Sequence, residues 1–242
     1  SRCNAQALGE IPRGGFHLGY LGEVMIGVCI PAHNEEELIG ACLASIFTAA
    51  HDHRLEGEAV IVVVVLDDCS DGTAAIVSQW PCETVVINAK NVGTARDTGA
   101  RLLLQRQARW IAFTDADSCG APDWLFMQLG LGAEVVCGTV EVDSWEGHGT
   151  NASAARCRFE SSYQDREGHR HVHGANLGIS AMSYKLSGGF DALVCGEDQA
   201  LVDRLAELGC QIAWTALPRV RTSGRPFSRV ENGFAGAIRL AF

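Results

Sequence analysis

The sequence predicts a single-domain α/β protein whose sheet is mixed but mostly parallel and is flanked by helices. Strand-like and helix-like segments alternate from about residue 24 to residue 114, which is the signature of a parallel sheet with crossover helices. The run "VIVVVVL" at 60–66 is apolar on both faces, as a strand covered by helices on either side requires. After about residue 134 shorter strands and polar loops replace the alternation, and the sheet is expected to become mixed there.

Residues 1–22 are Gly-rich and without periodicity, so they read as an N-terminal arm ahead of a domain spanning 23–242. "VMIGVCIP" at 24–31 reads as a buried strand. The helix "NEEELIGACLASIFTAA" follows, with Asn34 as its expected N-cap and Glu37 completing a capping box. A strand at 59–66 leads through the turn "DDCSDGT", where Asp71 is expected to cap, into a helix ending near Gln79. A strand at 83–87, a helix at 94–107 and a strand at 109–114 complete the regular part, which ends in "DADS".

In the second half "EVVCGTVEV" at 134–142 reads as a strand, and the polar stretch 144–165 carries a helix. "HRHVHGANLGIS" reads as a strand running into a Gly-bounded loop, and "GGFD" as a turn. The helix "GEDQALVDRLAELGC" shows an apolar stripe of Leu201, Leu205 and Leu208. A strand "QIAW" and a basic tail with Arg219, Arg221, Arg225 and Arg229 close the chain.

Composition narrows the partners. Of 242 residues 47% are hydrophobic and 20% charged, an ordinary globular balance that argues against disorder. The formal net charge of −10 disfavours nucleic acid and anionic membrane surfaces, which require a basic face. Ten cysteines are scattered without a C-x-x-C pair and read as reduced thiols of a cytoplasmic protein. No secretory leader is read at the start, and "AVIVVVVL" is too short to span a bilayer, so no transmembrane segment is expected. Peripheral membrane contact and homo-oligomerisation stay open. Asn151-Ala152-Ser153 has the form of a glycosylation acceptor and reads as chance in such a chain.

Three strand ends are polar in the same way. Pro31-Ala32-His33-Asn34-Glu35, Asp67-Asp68 and Asp115-Ala116-Asp117 each follow an apolar strand. An aspartate at such a place is often only a helix cap or a turn former. In parallel sheets, however, ligands bind beyond the carboxyl ends of the strands, where these clusters would converge. The D-x-D pair Asp115 and Asp117 suits a hard divalent cation, Mg2+ or Mn2+, able to bridge a diphosphate. His169, His171 and His173 alternate, so all three would face one side. Alternate strand residues diverge too far for one tetrahedral zinc site, which leaves a solvated or acceptor-facing polar face, with His173 next to the pocket.

The motifs "IPAHNEEELIGACLASI", "LDDCSDGT", "NVGTARDTGA", "FTDADS", "GANLGIS" with "GGFD", and "GEDQALVDRLAELG" occur in this order from about residue 24 to 225. In that order the chain resembles family-2-type nucleotide-sugar glycosyltransferases of the GT-A fold. The resemblance implies a nucleotide-diphosphate-sugar donor, a nucleotide-binding half at 23–133 and an acceptor-binding half at 134–242. It places Pro31, Ala32, His33 and Glu35 along the nucleotide and Asp68 at the base, with Asp67 beside it. Arg96 falls near the donor phosphates, Asp115 and Ala116 at the ribose, and Asp117 with Asp115 at the metal. Asp198 falls where inverting members carry the general base, with Glu197 beside it. His173, Asn176, Arg221 and Arg225 are the candidates for a small-molecule, glycan or lipid-linked acceptor, and Arg221 and Arg225 also for the leaving phosphates.

Three alternatives stand beside this reading. A retaining GT-A enzyme shares the first half of the pattern, so inversion rests on Asp198. A sugar-phosphate nucleotidyltransferase would need a Gly-rich loop after the first strand, and "PAHNEE" has no glycine. A non-catalytic nucleotide-sugar-binding protein would keep the fold without turnover, and the presence of every expected acid counts against it.

Overall fold

The computed structural model describes residues 25–225. The first half alternates as expected: β1 (Met25–Ala32), α1 (Ile39–Ala50), β2 (Ala59–Asp67), α2 (Thr73–Val77), β3 (Glu83–Ile87), α3 (Val92–Gln105) and β4 (Ala108–Phe113). The second half comprises β5 (Ser118–Gly120), α4 (Trp124–Gly130), β6 (Val135–Val142), α5 (Ala152–Ser162), β7 (Leu177–Ser180), α6 (Ala181–Ser187), α7 (Glu197–Glu207) and β8 (Ile212–Thr222).

All eight strands form one sheet in the order β3-β2-β1-β4-β7-β6-β8-β5. The pairs β1 with β2, β1 with β4 and β2 with β3 are parallel. Strand β7 runs antiparallel between β4 and β6, β8 is parallel to β6, and β5 closes the edge antiparallel to β8. The sheet is therefore mixed, with a four-stranded parallel part from the first half and one further parallel pair, β6 with β8, in the second.

The unbroken apolar strands follow from burial on both faces. Ile26, Val28, Ile30, Val62 and Val64 pack on one side with Ile39, Leu43 and Ile46 of α1 and with Trp124 of α4. Cys29, Val63 and Val65 point the other way, onto Ala95, Ala100 and Leu103 of α3, in a cluster that also takes Leu201 and Leu205 of α7. Gly99 lets α3 lie close to the sheet, since a Cβ there would overlap Cys29 Sγ and press on Val65. Among the described residues no helix is long and apolar enough to cross a membrane. The nine cysteines within them are free thiols.

Several local expectations are corrected. Asn34 does not cap α1: the helix starts at Ile39, Leu38 is in the cap position, and Asn34 adopts a left-handed φ of 54° with its Oδ1 accepting from Ser70 N–H. Residues 169–173 form no strand, and β7 begins only at Leu177. Leu208 leaves the apolar stripe of α7, being past the helix end and 52% exposed. Of "QIAW" the last three residues open an 11-residue strand, Ile212–Thr222, that also absorbs Arg219 and Arg221 of the basic tail. Gly72, not Asp71, holds the cap position of α2; Asp71 sits one residue earlier, its Oδ1 accepting from the Thr73 N–H at 3.0 Å and its Oδ2 from the Glu36 N–H at 3.1 Å. The arm at 1–22 and Arg229 lie outside the described residues.

Candidate active site

A cavity of about 600 Å3 opens at the carboxyl ends of β1, β2 and β4, where the parallel strands release their chains. The loop after β1 contributes Pro31, Ala32, His33 and Glu35 to its wall, β2 ends in Asp67 and Asp68, and β4 leads into Asp115, Ala116 and Asp117. From the second half come His173, the N-terminus of α7 with Glu197 and Asp198, and the segment after β8 with Arg225. Arg96 reaches the wall from the first turns of α3.

The chain turns sharply as it leaves the sheet. Asn34, Asp68 and Lys90, one after each of β1, β2 and β3, all have left-handed φ between 51° and 54°. Asn and Asp tolerate that region because a short polar side chain can bond locally, whereas Lys90 has to be held. Asp67 does the holding: it is 4% exposed and accepts the backbone N–H groups of Ala89, Lys90 and Asn91 at 2.6, 2.9 and 2.8 Å. Its neighbour Asp68 projects into the cavity and meets Lys90 Nζ at 3.1 Å. His33 Nδ1 lies 2.6 Å from the carbonyl oxygen of Asp67, tying the first loop to the second.

The two aspartates of D-x-D are held by different arginines. Arg225 lies between Glu35 Oε1 at 2.6 Å and Asp117 Oδ2 at 2.5 Å. Arg96, only 4% exposed, donates to Asp115 Oδ1 at 2.6 Å and to Glu197 Oε1. Burial pushes the Asp117 carboxyl up to about 6, the negative charges of Asp115 and Glu35 add to this, and Arg225 opposes it. Asp198 is oriented by two N–H donors, Gly174 to its Oδ2 at 2.9 Å and Gln199 to its Oδ1 at 2.8 Å.

His173 is fixed from behind. Val140 N–H donates to the Tyr163 hydroxyl oxygen at 2.7 Å, and that oxygen lies 3.0 Å from His173 Nε2, so the hydroxyl hydrogen is available to the ring. Burial, and then the charges of His171 and His169, push His173 down to about 3, so it is neutral near pH 7. The three histidines do share a side, but as a stack, with ring centroids 5.8 Å apart for His169 and His171 and 6.0 Å for His171 and His173.

Two residues expected on the acceptor side lie off the cavity wall. Asn176 is fully buried, its Nδ2 donating to the carbonyls of Thr139 and Pro218 and its Oδ1 accepting from Trp124 Nε1. Arg221 is on the exposed face of β8 and pairs with Asp143 at 3.2 Å, while its neighbour Thr222 faces in. Sequence reasoning missed Lys90 and Tyr163. Lys90 follows β3 at the same sheet edge as the three acidic clusters, so the strand-end rule applied to β3 would have found it. Tyr163 reaches the site through a contact that no local pattern encodes.

Hard carboxylate oxygens at this edge fit a divalent cation in their chemistry. Among the described residues no group of three or more His, Cys, Asp and Glu side chains is arranged to hold a metal alone. A cation between Asp115 and Asp117 would therefore need ligand oxygens to complete its shell, the arrangement expected where metal and diphosphate enter together.

The fold, with a parallel half whose strand ends carry acids and a mixed half closing over them, defines a GT-A domain. The chain belongs to glycosyl transferase family 2, whose sequence profile matches residues 27–187. Solved structures of similar fold include S. aureus TarS, with a TM-score of 0.63 and 16% identity over 84% of this chain and 37% of that one. TarS 1-349 in complex with UDP-GlcNAc gives 0.62 and 16% over 87% of this chain and 62% of that one. The mannosyltransferase PcManGT from Pyrobaculum calidifontis, in complex with GDP-Man and Mn2+, gives 0.58 and 18% over 84% and 58%. The chain thus spans between 37% and 62% of the length of these neighbours. No curated protein matches it.

Proposed function

We propose that this chain is a metal-dependent, inverting glycosyltransferase domain that moves a sugar from a nucleotide-diphosphate donor to an acceptor hydroxyl. The observation that carries the reading is the meeting of Asp115, Asp117 and Asp198 in one cavity, although 81 residues separate Asp117 from Asp198 in the chain. Independent helix caps have no reason to share a ligand. The neighbours bound to UDP-GlcNAc and to GDP-Man with Mn2+ support a nucleotide-sugar donor.

In this reading residues 23–133 bind the nucleotide and 134–242 shape the acceptor side. Asp68 meets the base, and Pro31, Ala32, His33, Glu35 and Ala116 line the nucleotide. Asp115 and Asp117 hold Mg2+ or Mn2+, which when bound neutralises the diphosphate and stabilises it as leaving group. Asp198, already oriented by Gly174 and Gln199, takes the proton of the acceptor hydroxyl as that oxygen attacks the sugar C1 in line. His173 presents a neutral ring to the acceptor, and Arg225 is placed to meet phosphate oxygens once it leaves Asp117. The free thiols support a reducing, cytoplasmic setting.

A screen of UDP- and GDP-sugars for thermal stabilisation tests the reading, followed by calorimetry with UDP or GDP with and without Mn2+. Binding that a chelator abolishes is expected. Equal affinity with and without the ion removes the metal from this account and leaves Arg225 as the group that neutralises the donor.

A further inference from the structure

Arg96 is the most enclosed cation of the site. It is on α3, yet its guanidinium reaches two other parts of the molecule, Asp115 after β4 and Glu197 at the first position of α7. Glu197 itself is 6% exposed, so the Arg96 to Glu197 bond is shielded from competing water. Phe190 covers the guanidinium from another side, its ring centroid 5.7 Å from Cζ. Gly174 closes the enclosure: a Cβ at this position would overlap the guanidinium, so a side chain here is incompatible with the arrangement. The same Gly174 donates its N–H to Asp198.

We infer that Arg96 is a positioning residue for Asp198 rather than a ligand of the donor phosphates. Its planar fork ties Glu197, the residue before Asp198, to Asp115 on the donor side, and its bulk sets the height of the Gly174 N–H that orients Asp198. The first turn of α7 and the aspartate of the donor side are thereby held in one register by a single side chain. Lysine cannot replace it, because one ammonium does not span two carboxylates on opposite sides of a planar group. Displacing a reacting group by about 1 Å costs roughly a hundredfold in rate. The inference rests on Asp198 being the general base, and the test separates the two.

The variants are Asp198→Asn, Arg96→Met, Arg96→Lys, Arg96→Met with Glu197→Gln, and Arg96→Met with Asp198→Asn. Turnover is measured with the donor that the screen selects, and affinity by calorimetry with its nucleoside diphosphate. Arg96→Met and Arg96→Lys should each lower kcat by about a hundredfold, while the nucleotide Kd changes less than about tenfold, roughly 1.4 kcal/mol. Should Arg96→Met fail to fold, the variant that also carries Glu197→Gln removes the more buried of the two stranded carboxylates and shows the same kcat loss. In the Asp198→Asn background Arg96→Met should cost little more, because both changes remove one function. A Kd that rises with kcat unchanged makes Arg96 a phosphate ligand and overturns the inference. Full multiplication of the two losses also overturns it. Near-wild-type turnover of Asp198→Asn alone would instead remove the base assignment on which it stands.

Discussion

Asp67 accepts three backbone N–H groups from the loop after β3, and Asp68, one residue on, faces the cavity beside Lys90. Adjacent aspartates therefore predict opposite outcomes. Asp67→Asn sets an amide NH2 among N–H donors and should destabilise the protein by about 2 kcal/mol, the scale of a buried donor left without a partner. Asp68→Asn keeps the size and the tolerance for a left-handed φ and loses only a half-exposed ion pair, worth about 1 kcal/mol or less. Its nucleotide affinity should fall roughly tenfold to a hundredfold, as for a lost hydrogen bond to a charged acceptor. Melting curves and calorimetry on both variants decide; a collapse of Asp68→Asn with normal affinity in its folded fraction would make it a turn residue only. The sequence placed both acids at the strand end. Which of them shapes the loop depends on N–H groups 22 to 24 residues away, and no local pattern shows that.

Elements that cap themselves were easier to read than elements capped from a distance. Asn91 accepts from the Thr94 N–H at 2.8 Å and opens α3, whose start the apolar spacing had put two residues late. Asn91→Ala should cost about 1 kcal/mol in a melting curve, the usual worth of an N-cap. Asn34 has the same local credentials, followed by three glutamates, yet its side chain serves the Ser70 N–H on the neighbouring strand-end loop. Spatial proximity at the sheet edge outweighs the capping box there. The loop before β7 shows a related effect. Alternating histidines read as a strand, but their rings pack on one another and on Tyr163 without a partner strand. A partly buried neutral imidazole makes this loop sensitive to acid. His173 titrates near 6.5 when unfolded and near 3 when folded, so the contribution is complete above about pH 6.5 and is lost as pH falls towards 3. Between pH 7 and 4.5 the wild type should lose more melting temperature than His173→Gln; parallel profiles would show that burial does not hold the ring neutral.

At the scale of the whole molecule the parallel half was legible because β1, β2 and β3 are each followed by their own helix, and local periodicity carries the topology. The mixed half was not. The three-residue strand β5 and the long β8 pair across about a hundred residues, in the register of Ser118 with Thr222, so neither announces itself locally. That pairing brings the segment with Arg225 over the D-x-D, and α7 supplies Asp198 from the opposite side, so the cavity is assembled from distant parts of the chain. The proposed division of labour between the halves leads to the last prediction. Asp198→Asn leaves the nucleotide side untouched, so donor binding should be unchanged. If Asp198 removes the acceptor proton, turnover should fall roughly 10²-fold to 10⁴-fold, the scale of a lost acid–base group. A carboxylate that only favours the α7 N-terminus would instead lower stability by about 1 kcal/mol and leave turnover of the folded fraction nearly intact. Turnover and a melting curve on the same preparation distinguish the two. Undiminished turnover would move the base elsewhere or point to a retaining mechanism, because the cavity wall from the second half would then act without the acid that now faces it.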